Sequence, residues 1–171
     1  MIVCNSTVLI YLSKIDKLWI LKELFKTASI PEGVKREVVD QGKIKNCVDA
    51  LEIEKSINPG WIKVEDITVD LILEDIGIDK GEAEAISLAH KKKVLILLDQ
   101  THARNAAKLL GLKPRGTIYV LLLALKKRLL DYDSYLLCLL DLVEMGFRMD
   151  QEVYLEALRL GKKCIYSKEH K

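Results

Sequence analysis

Long apolar runs are missing from this chain of 171 residues. The longest, Ile118 to Leu125, has eight residues, whereas a membrane-spanning helix needs about 20. The opening Met1-Ile2-Val3-Cys4-Asn5 has no basic stretch ahead of an apolar one, so no signal peptide is expected and a cytoplasmic location is. Cysteine is sparse and scattered: Cys4, Cys47, Cys138 and Cys164, no two nearer than 26 residues. That spacing excludes a C-x-x-C pair and the ligand spacing of a zinc site, and leaves four thiols suited to a reducing compartment. Histidine is limited to His90, His102 and His170, which argues against a histidine-rich metal site. An excess of one charge is absent too. With 27 Lys and Arg against 25 Asp and Glu, the net charge is +2. This excludes a protein that holds nucleic acid by net charge, but not one with a local site. Also absent are G-x-G-x-x-G, a phosphate-binding G-x-x-x-x-G-K-[ST] and the G-x-S-x-G turn of a serine hydrolase.

What is present is a globular composition, 50% apolar and 30% charged. The length suffices for a core without disulfides or a structural metal. Ile2-Val3-Cys4 reads as a buried strand ending at the capping residues Asn5-Ser6-Thr7. Apolar residues at helical spacing follow, from Val8 through Phe25, predicting one or two helices. Ala28-Ser29-Ile30 is a second strand, and Pro31 suits the first turn of a helix carrying Val34, Glu37 and Val38. Residues 46–57 read as a helix, and Trp61-Ile62-Lys63-Val64 as a strand. Val94 to Leu98 is a continuous apolar run of the kind found in parallel strands covered on both faces. A helix from Thr101 to Leu110, a short strand near Leu112 and Lys113, and a helix from Thr117 to Arg128 complete the pattern. Residues 133–160 read as two helices split at Gly146 to Asp150. Leu136, Leu137, Leu139, Leu140, Leu142 and Val143 make the first of them apolar around much of its circumference, as expected of a helix buried on more than one side. Short apolar strands alternating with helices imply an α/β fold with a mostly parallel sheet. The expected organisation is a Rossmann-like three-layer domain over 1–130 and a C-terminal helical hairpin over 131–171, packed on the same domain.

The balanced charge hides unlike regions. Residues 65–84 hold eight carboxylates against Lys80 alone, while residues 157–171 hold five Lys or Arg against one acid. Ligands of open α/β sheets bind beyond the carboxyl ends of the strands. Two strands end there in polar residues, Cys4 before Asn5 and Leu98 before Asp99, and Glu37, Glu82 and Glu84 lie on helices that start nearby. Two carboxylates about 4 Å apart repel by ~4 kcal/mol at an effective dielectric of ~20. A converging set therefore calls for a cation or a proton, and oxygen ligands with few histidines suit Mg²⁺ or Mn²⁺ and phosphoryl chemistry.

The ordered segments Val3-Cys4-Asn5-Ser6-Thr7-Val8-Leu9-Ile10, Ile30-Pro31 with Val34 and Glu37, Gly81-Glu82-Ala83-Glu84-Ala85-Ile86, and Val94 to Asp99 followed by Ala103-Arg104 and Gly111 resemble those of PIN-domain proteins. The similarity is to a prokaryotic branch with a G-E-A-E-A helix, and Gly146-Phe147-Arg148 with the helix after it resembles that branch's tail. The resemblance implies a ribonuclease fold in which three or four acids at the sheet edge bind Mg²⁺ or Mn²⁺ and hydrolyse RNA. Many such proteins are toxins of toxin–antitoxin pairs, so an antitoxin protein and a homodimer are implied partners, with no membrane. The first acidic position of the family falls on Asn5, the second on Glu37, the third on Glu82 with Glu84 as a rival, and the last on the pair Asp99-Gln100. The implied catalytic and metal-binding set is therefore Asn5, Glu37, Glu82 and Asp99.

Each residue also has a plainer reading. Asn5 suits the N-cap of a helix, Asp99 the cap of the helix near Thr101, and Glu82 the acid-favouring first turn. Glu37 also reads as a solvated helix residue. Ser6 and Thr7 read as capping hydroxyls or as substrate contacts. Arg104 and His102 read as phosphate contacts or surface residues, and Lys91-Lys92-Lys93 as a solvated turn. Glu82 and Glu84 stand two apart on one helix, so only one is expected to face the cleft. The neutral Asn5 and Gln100 leave a second reading open, a PIN-fold RNA- or protein-binding module with a weakened site. A doubly wound nucleotide-binding protein is a third, but no glycine at Asn5-Ser6-Thr7 lets backbone approach a phosphate.

Overall fold

A computed structural model describes residues 1–166. The chain divides into two compact units, Met1–Gly116 and Thr117–Lys171. The first is a four-stranded parallel sheet flanked by helices. Its strands are β1 (Ile2–Cys4), β2 (Ala28–Pro31), β3 (Ile62–Glu65) and β4 (Leu95–Leu97), in the spatial order β3-β2-β1-β4. Parallel neighbours need crossover connections, and helices supply them here. α1 (Ser6–Lys14) and α2 (Trp19–Phe25) connect β1 to β2. Between β2 and β3 run α3 (Glu32–Lys35), a π-helical stretch (Arg36–Gln41), α4 (Gly42–Ile44) and α5 (Val48–Ile57). α6 (Leu71–Glu74) and α7 (Lys80–Lys92) then lead to β4, and α8 (Thr101–Leu109) follows it.

Every residue of β1 and β2 is buried, which explains the unbroken apolar run of β1; in β2 the buried Ser29 donates its hydroxyl to Glu65 Oε1 at 2.6 Å. Ile2 stands opposite Ala28 on one side and Leu95 on the other, and Cys4 opposite Leu97. α7 packs on β1, β2 and β4. Its alanines Ala83, Ala85 and Ala89, with Ile86 and Leu88, are all buried. α1 buries Val8, Leu9 and Leu12 and packs against α5, which buries Ala50 and Ile53.

The strand expected near Leu112 and Lys113 is not one. The end of α8 takes the Leu112 N–H instead, which donates to Ala107 O at 3.1 Å past Gly111 at φ 73°. Sheet pairing starts later, at Arg115, whose N–H donates to Ile96 O at 3.0 Å and whose carbonyl accepts from Leu98 N at 2.7 Å. The three-lysine turn is also divided. Lys92 pairs with Glu65 at 2.8 Å, and Lys93 takes the left-handed conformation (φ 54°) that ends α7.

The second unit holds α9 (Thr117–Lys126), α10 (Tyr132–Glu144) and α11 (Gln151–Tyr166). The division at 116/117 precedes the expected boundary at 130 because α9 packs against α10 and α11. Asp131 caps α10 by accepting from Ser134 N at 2.7 Å. Tyr135 is fully buried, donates its hydroxyl to Ala157 O at 2.9 Å, and lays its ring against Gly161. α10 buries Tyr135, Cys138, Leu139 and Leu142 on one face and leaves Leu137, Leu140 and Val143 exposed on another. No helix among the described residues is long and apolar enough to cross a membrane.

Candidate functional site

The site begins where β1 ends. Asn5 occupies the position before α1, but its side chain caps nothing there. It is 1% exposed, and its Nδ2 donates to Gln100 Oε1 at 3.3 Å. Gln100 Nε2 in turn donates to Thr7 Oγ1 at 2.5 Å. The residue after β4 thus ties together the end of β1 and the first turn of α1. Asn5 Oδ1 is left as a buried oxygen without a hydrogen-bond partner. Such a group costs free energy unless something donates to it or coordinates it.

Glu37 stands in the first turn of the π-helical stretch. Such stretches insert a residue into a helix and re-aim side chains, often at functional sites. The Glu37 carboxylate accepts from Ser6 Oγ at 2.5 Å. It also lies against the start of α7, where a Cβ on Gly81 would be 3.7 Å from Glu37 Oε2. Glu82 follows directly. It forms a capping box with Asp79, whose N–H donates to Glu82 Oε2 at 3.3 Å. Burial raises the Glu82 carboxyl above the ordinary glutamate range. The Asp79 N–H opposes that rise, the negative charges of Asp79 and Glu37 add to it, and His102 opposes it.

The rise makes Glu82 a pH-dependent destabiliser. The folded chain holds its proton at pH values where the unfolded chain has released it. Stability therefore falls as pH climbs from about 4.5 through the raised folded value. Glu82→Gln is expected to remove that fall, so its stability gain over the parent grows across this window. Urea unfolding midpoints at a series of pH values check this; a constant difference between the two proteins contradicts it.

Glu84 goes elsewhere. Its Oε2 accepts from the N–H of Gly33 at 2.8 Å, at the start of α3, and Lys80 Nζ approaches it at 3.9 Å. Asp99 is half-buried beyond β4; the residue that precedes α8 is Gln100, so Asp99 is not its cap. Its carboxylate occupies the space a side chain on Gly116 would need, 2.5 Å from that Cβ position. Arg104 donates from Nη1 to Leu98 O at 2.9 Å, which holds the chain just after β4.

Two groupings result. Asn5, Thr7 and Gln100 are hydrogen-bonded, and Ser6, Glu37, Glu82 and His102 are linked by a hydrogen bond or by charge. Among the described residues, no group of three or more His, Cys, Asp and Glu is placed to hold a metal ion. The bridging of Gln100 and the π-helical placing of Glu37 were not anticipated from the sequence. Asp79 was, in principle, legible: Asp79-x-x-Glu82 ahead of an apolar run is a capping signature.

Asn5, with its buried amide oxygen, and the carboxylates Glu37 and Glu82 follow the strands of a parallel sheet, the edge at which open α/β sheets bind ligands. A family model described as a PIN domain matches residues 1–163, and the chain belongs to the PIN-domain family. Members of that family are generally nucleases and typically use divalent metals. No curated protein and no solved structure matches the chain.

Proposed function

We propose that the chain is a ribonuclease that hydrolyses RNA phosphodiesters with Mg²⁺ or Mn²⁺. The observation that carries this reading is the placing of Glu37 against the start of α7 beside Glu82, where its negative charge adds to the rise that burial produces in the Glu82 carboxyl. The unpartnered Oδ1 of Asn5 adds a neutral oxygen donor. Mg²⁺ commonly uses one or two carboxylates, with waters and substrate phosphate completing its octahedron. The donor set fits such an ion in kind without a third acid. Glu37 and Glu82 would hold it, with Asn5 contributing its oxygen and Asp99 standing as a further acid beyond β4. Bound there, the cation supplies charge neutralisation on the phosphodiester and a more acidic water.

The chain's own residues do the positioning. Ser6 holds the Glu37 carboxylate through its hydroxyl, and the Asp79 N–H does the same for Glu82. Thr7 is held by Gln100 and stands at the first turn of α1, where a helix N-terminus favours a phosphate. The test is cleavage of a fluorogenic RNA by the purified protein. Cleavage that needs Mn²⁺ and stops with chelator supports the proposal; no cleavage with either ion overturns it.

A specific observation favours a second reading. Where the family places acids, Asn5 and Gln100 form an amide pair with no charge to offer. A binding module with a weakened metal site follows from that. In this case the double variant Asn5→Asp, Gln100→Asp gains Mn²⁺ affinity by calorimetry that the natural protein lacks. Equal affinity in both sinks the second reading. The resemblance extends the proposal to the toxin of a toxin–antitoxin pair acting as a homodimer. The exposed Leu137, Leu140 and Val143 of α10 offer an apolar stripe for a second copy. A monomer in sedimentation at micromolar concentration removes the homodimer.

A further inference from the structure

Away from the sheet edge, Ile67, Thr68, Asp70, Ser87, His90 and Lys91 line a cavity of about 290 Å³. That is near the lower end of small-molecule sites, roughly 300–1,000 Å³. We infer that this cavity binds a single ribonucleotide, with its phosphate on Lys91 and His90 and its ribose hydroxyls on Asp70. The inference does not depend on the ribonuclease reading.

The cavity's polar groups are held in place before any ligand arrives. Asp70 Oδ2 stands 3.1 Å from His90 Nδ1. An Nδ1–H donated to that carboxylate fixes the ring and leaves Nε2 for a ligand. The Asp70 backbone is fixed as well. Its N–H donates to Ser87 Oγ at 2.8 Å, and Ser87 donates to Ala83 O at 2.8 Å, one turn back on α7. Ser87, His90 and Asp70 are the residue types of a hydrolytic triad, but both hydrogen-bonding roles of the Ser87 hydroxyl are already taken. It is 4% exposed and serves the backbone. The cluster is therefore built to bind, not to attack.

The mixture of charges selects the ligand class. A bare anion meets Asp70, and a bare cation meets Lys91. A ribonucleotide satisfies both, because its phosphate takes Lys91 with the His90 ring beside it and its hydroxyls donate to the carboxylate. Acids in nucleotide sites commonly hold ribose hydroxyls in this way. Ile67 and Thr68 supply an apolar and a hydroxyl wall for the base. Side chains of Asp70 and His90 are 30% and 45% exposed, so the pair is reachable from solvent.

The experiment is amide NMR titration of the full chain with AMP, deoxy-AMP, adenosine and inorganic phosphate. AMP is expected to shift the signals of residues 67–70 and 87–91. A charged hydrogen bond is worth about 1.5–3 kcal/mol, so Lys91→Ala should weaken AMP by about tenfold or more, and adenosine should bind correspondingly less well. His90→Ala should weaken it in the same direction. Deoxy-AMP, which lacks the 2′ hydroxyl, should bind several-fold more weakly than AMP. Inorganic phosphate should shift the same signals only weakly. No shift with AMP, or equal AMP affinity in the parent and both alanine variants, overturns the site. Equal affinity for AMP and deoxy-AMP overturns the role of Asp70. Phosphate binding as tight as AMP makes it a plain anion site and overturns the nucleotide. Loss of AMP binding in Glu37→Gln would place the ligand at the sheet edge and overturn the inference, without touching the ribonuclease reading.

Discussion

Glu37→Gln is expected to lower Mn²⁺-dependent RNA cleavage by about a hundredfold or more while leaving the fold intact. The substitution keeps the side chain's length and an oxygen to accept from Ser6, so the contact to the start of α1 survives. What it removes is one of two negative charges. A carboxylate that holds a cation or a water in phosphodiester hydrolysis contributes a factor of about 10² to 10⁴. A second readout is independent of cleavage. Glu37 is one of the charges that raise the Glu82 carboxyl, so its removal should bring the Glu82 titration down, partway, because burial remains the larger cause. Carboxyl-carbon NMR of the parent and variant follows that shift directly. Equal cleavage by both proteins would show that the activity does not use Glu37, and an unmoved Glu82 titration would show that the two carboxylates do not interact. Either result removes the pair from the proposal.

Much of the frame behind that experiment was legible in the sequence, for plain reasons. Strands buried on both faces must be continuously apolar, and Ile2-Val3-Cys4 and Leu95-Ile96-Leu97 are. Two residues apart on a helix means roughly 200° of rotation. So Glu82 and Glu84 had to part, and one meets the charges of Glu37 and His102 while the other meets Gly33 N–H. The parts that were hidden depend on partners distant in sequence. Nothing local to Gln100 announces that it bridges Asn5 and Thr7, 95 and 93 positions away. The π-helical turn at Arg36–Gln41 breaks the periodicity on which a helix is read, so the facing of Glu37 was not to be had from spacing. Leu112 and Lys113 have strand-like neighbours, but closing the α8 terminus claims the Leu112 N–H before a sheet can. The helix from Thr117 looked like part of the first domain because its apolar run fits any core; which core it joins is decided by α10 and α11.

The largest stability effect is expected at Gly33, and its sign separates packing from propensity. Gly33 lies in α3, and in a helix glycine-to-alanine ordinarily stabilises by about 1 kcal/mol. Here the added methyl collides with the Glu84 carboxylate, standing 3.0 Å from its Cδ and closer still to Oε2. The carboxylate cannot yield cheaply. It is 7% exposed, accepts the Gly33 N–H at 2.8 Å, and has Lys80 only at 3.9 Å. Moving it breaks a charged hydrogen bond worth about 1.5–3 kcal/mol, and forcing a methyl into a filled space costs about 1–3 kcal/mol more. Gly33→Ala should therefore destabilise by roughly 3–5 kcal/mol, a large fraction of the 5–15 kcal/mol typical of a domain. Urea unfolding measures it. The decisive comparison is a double-mutant cycle with Glu84→Ala. Glu84→Ala alone should destabilise, because it strips the half-buried Gly33 N–H of its acceptor. With the carboxylate gone, however, the methyl at position 33 has room, and Gly33→Ala should cost little or even stabilise. If Gly33→Ala costs the same with and without Glu84, the carboxylate is not what the glycine makes room for.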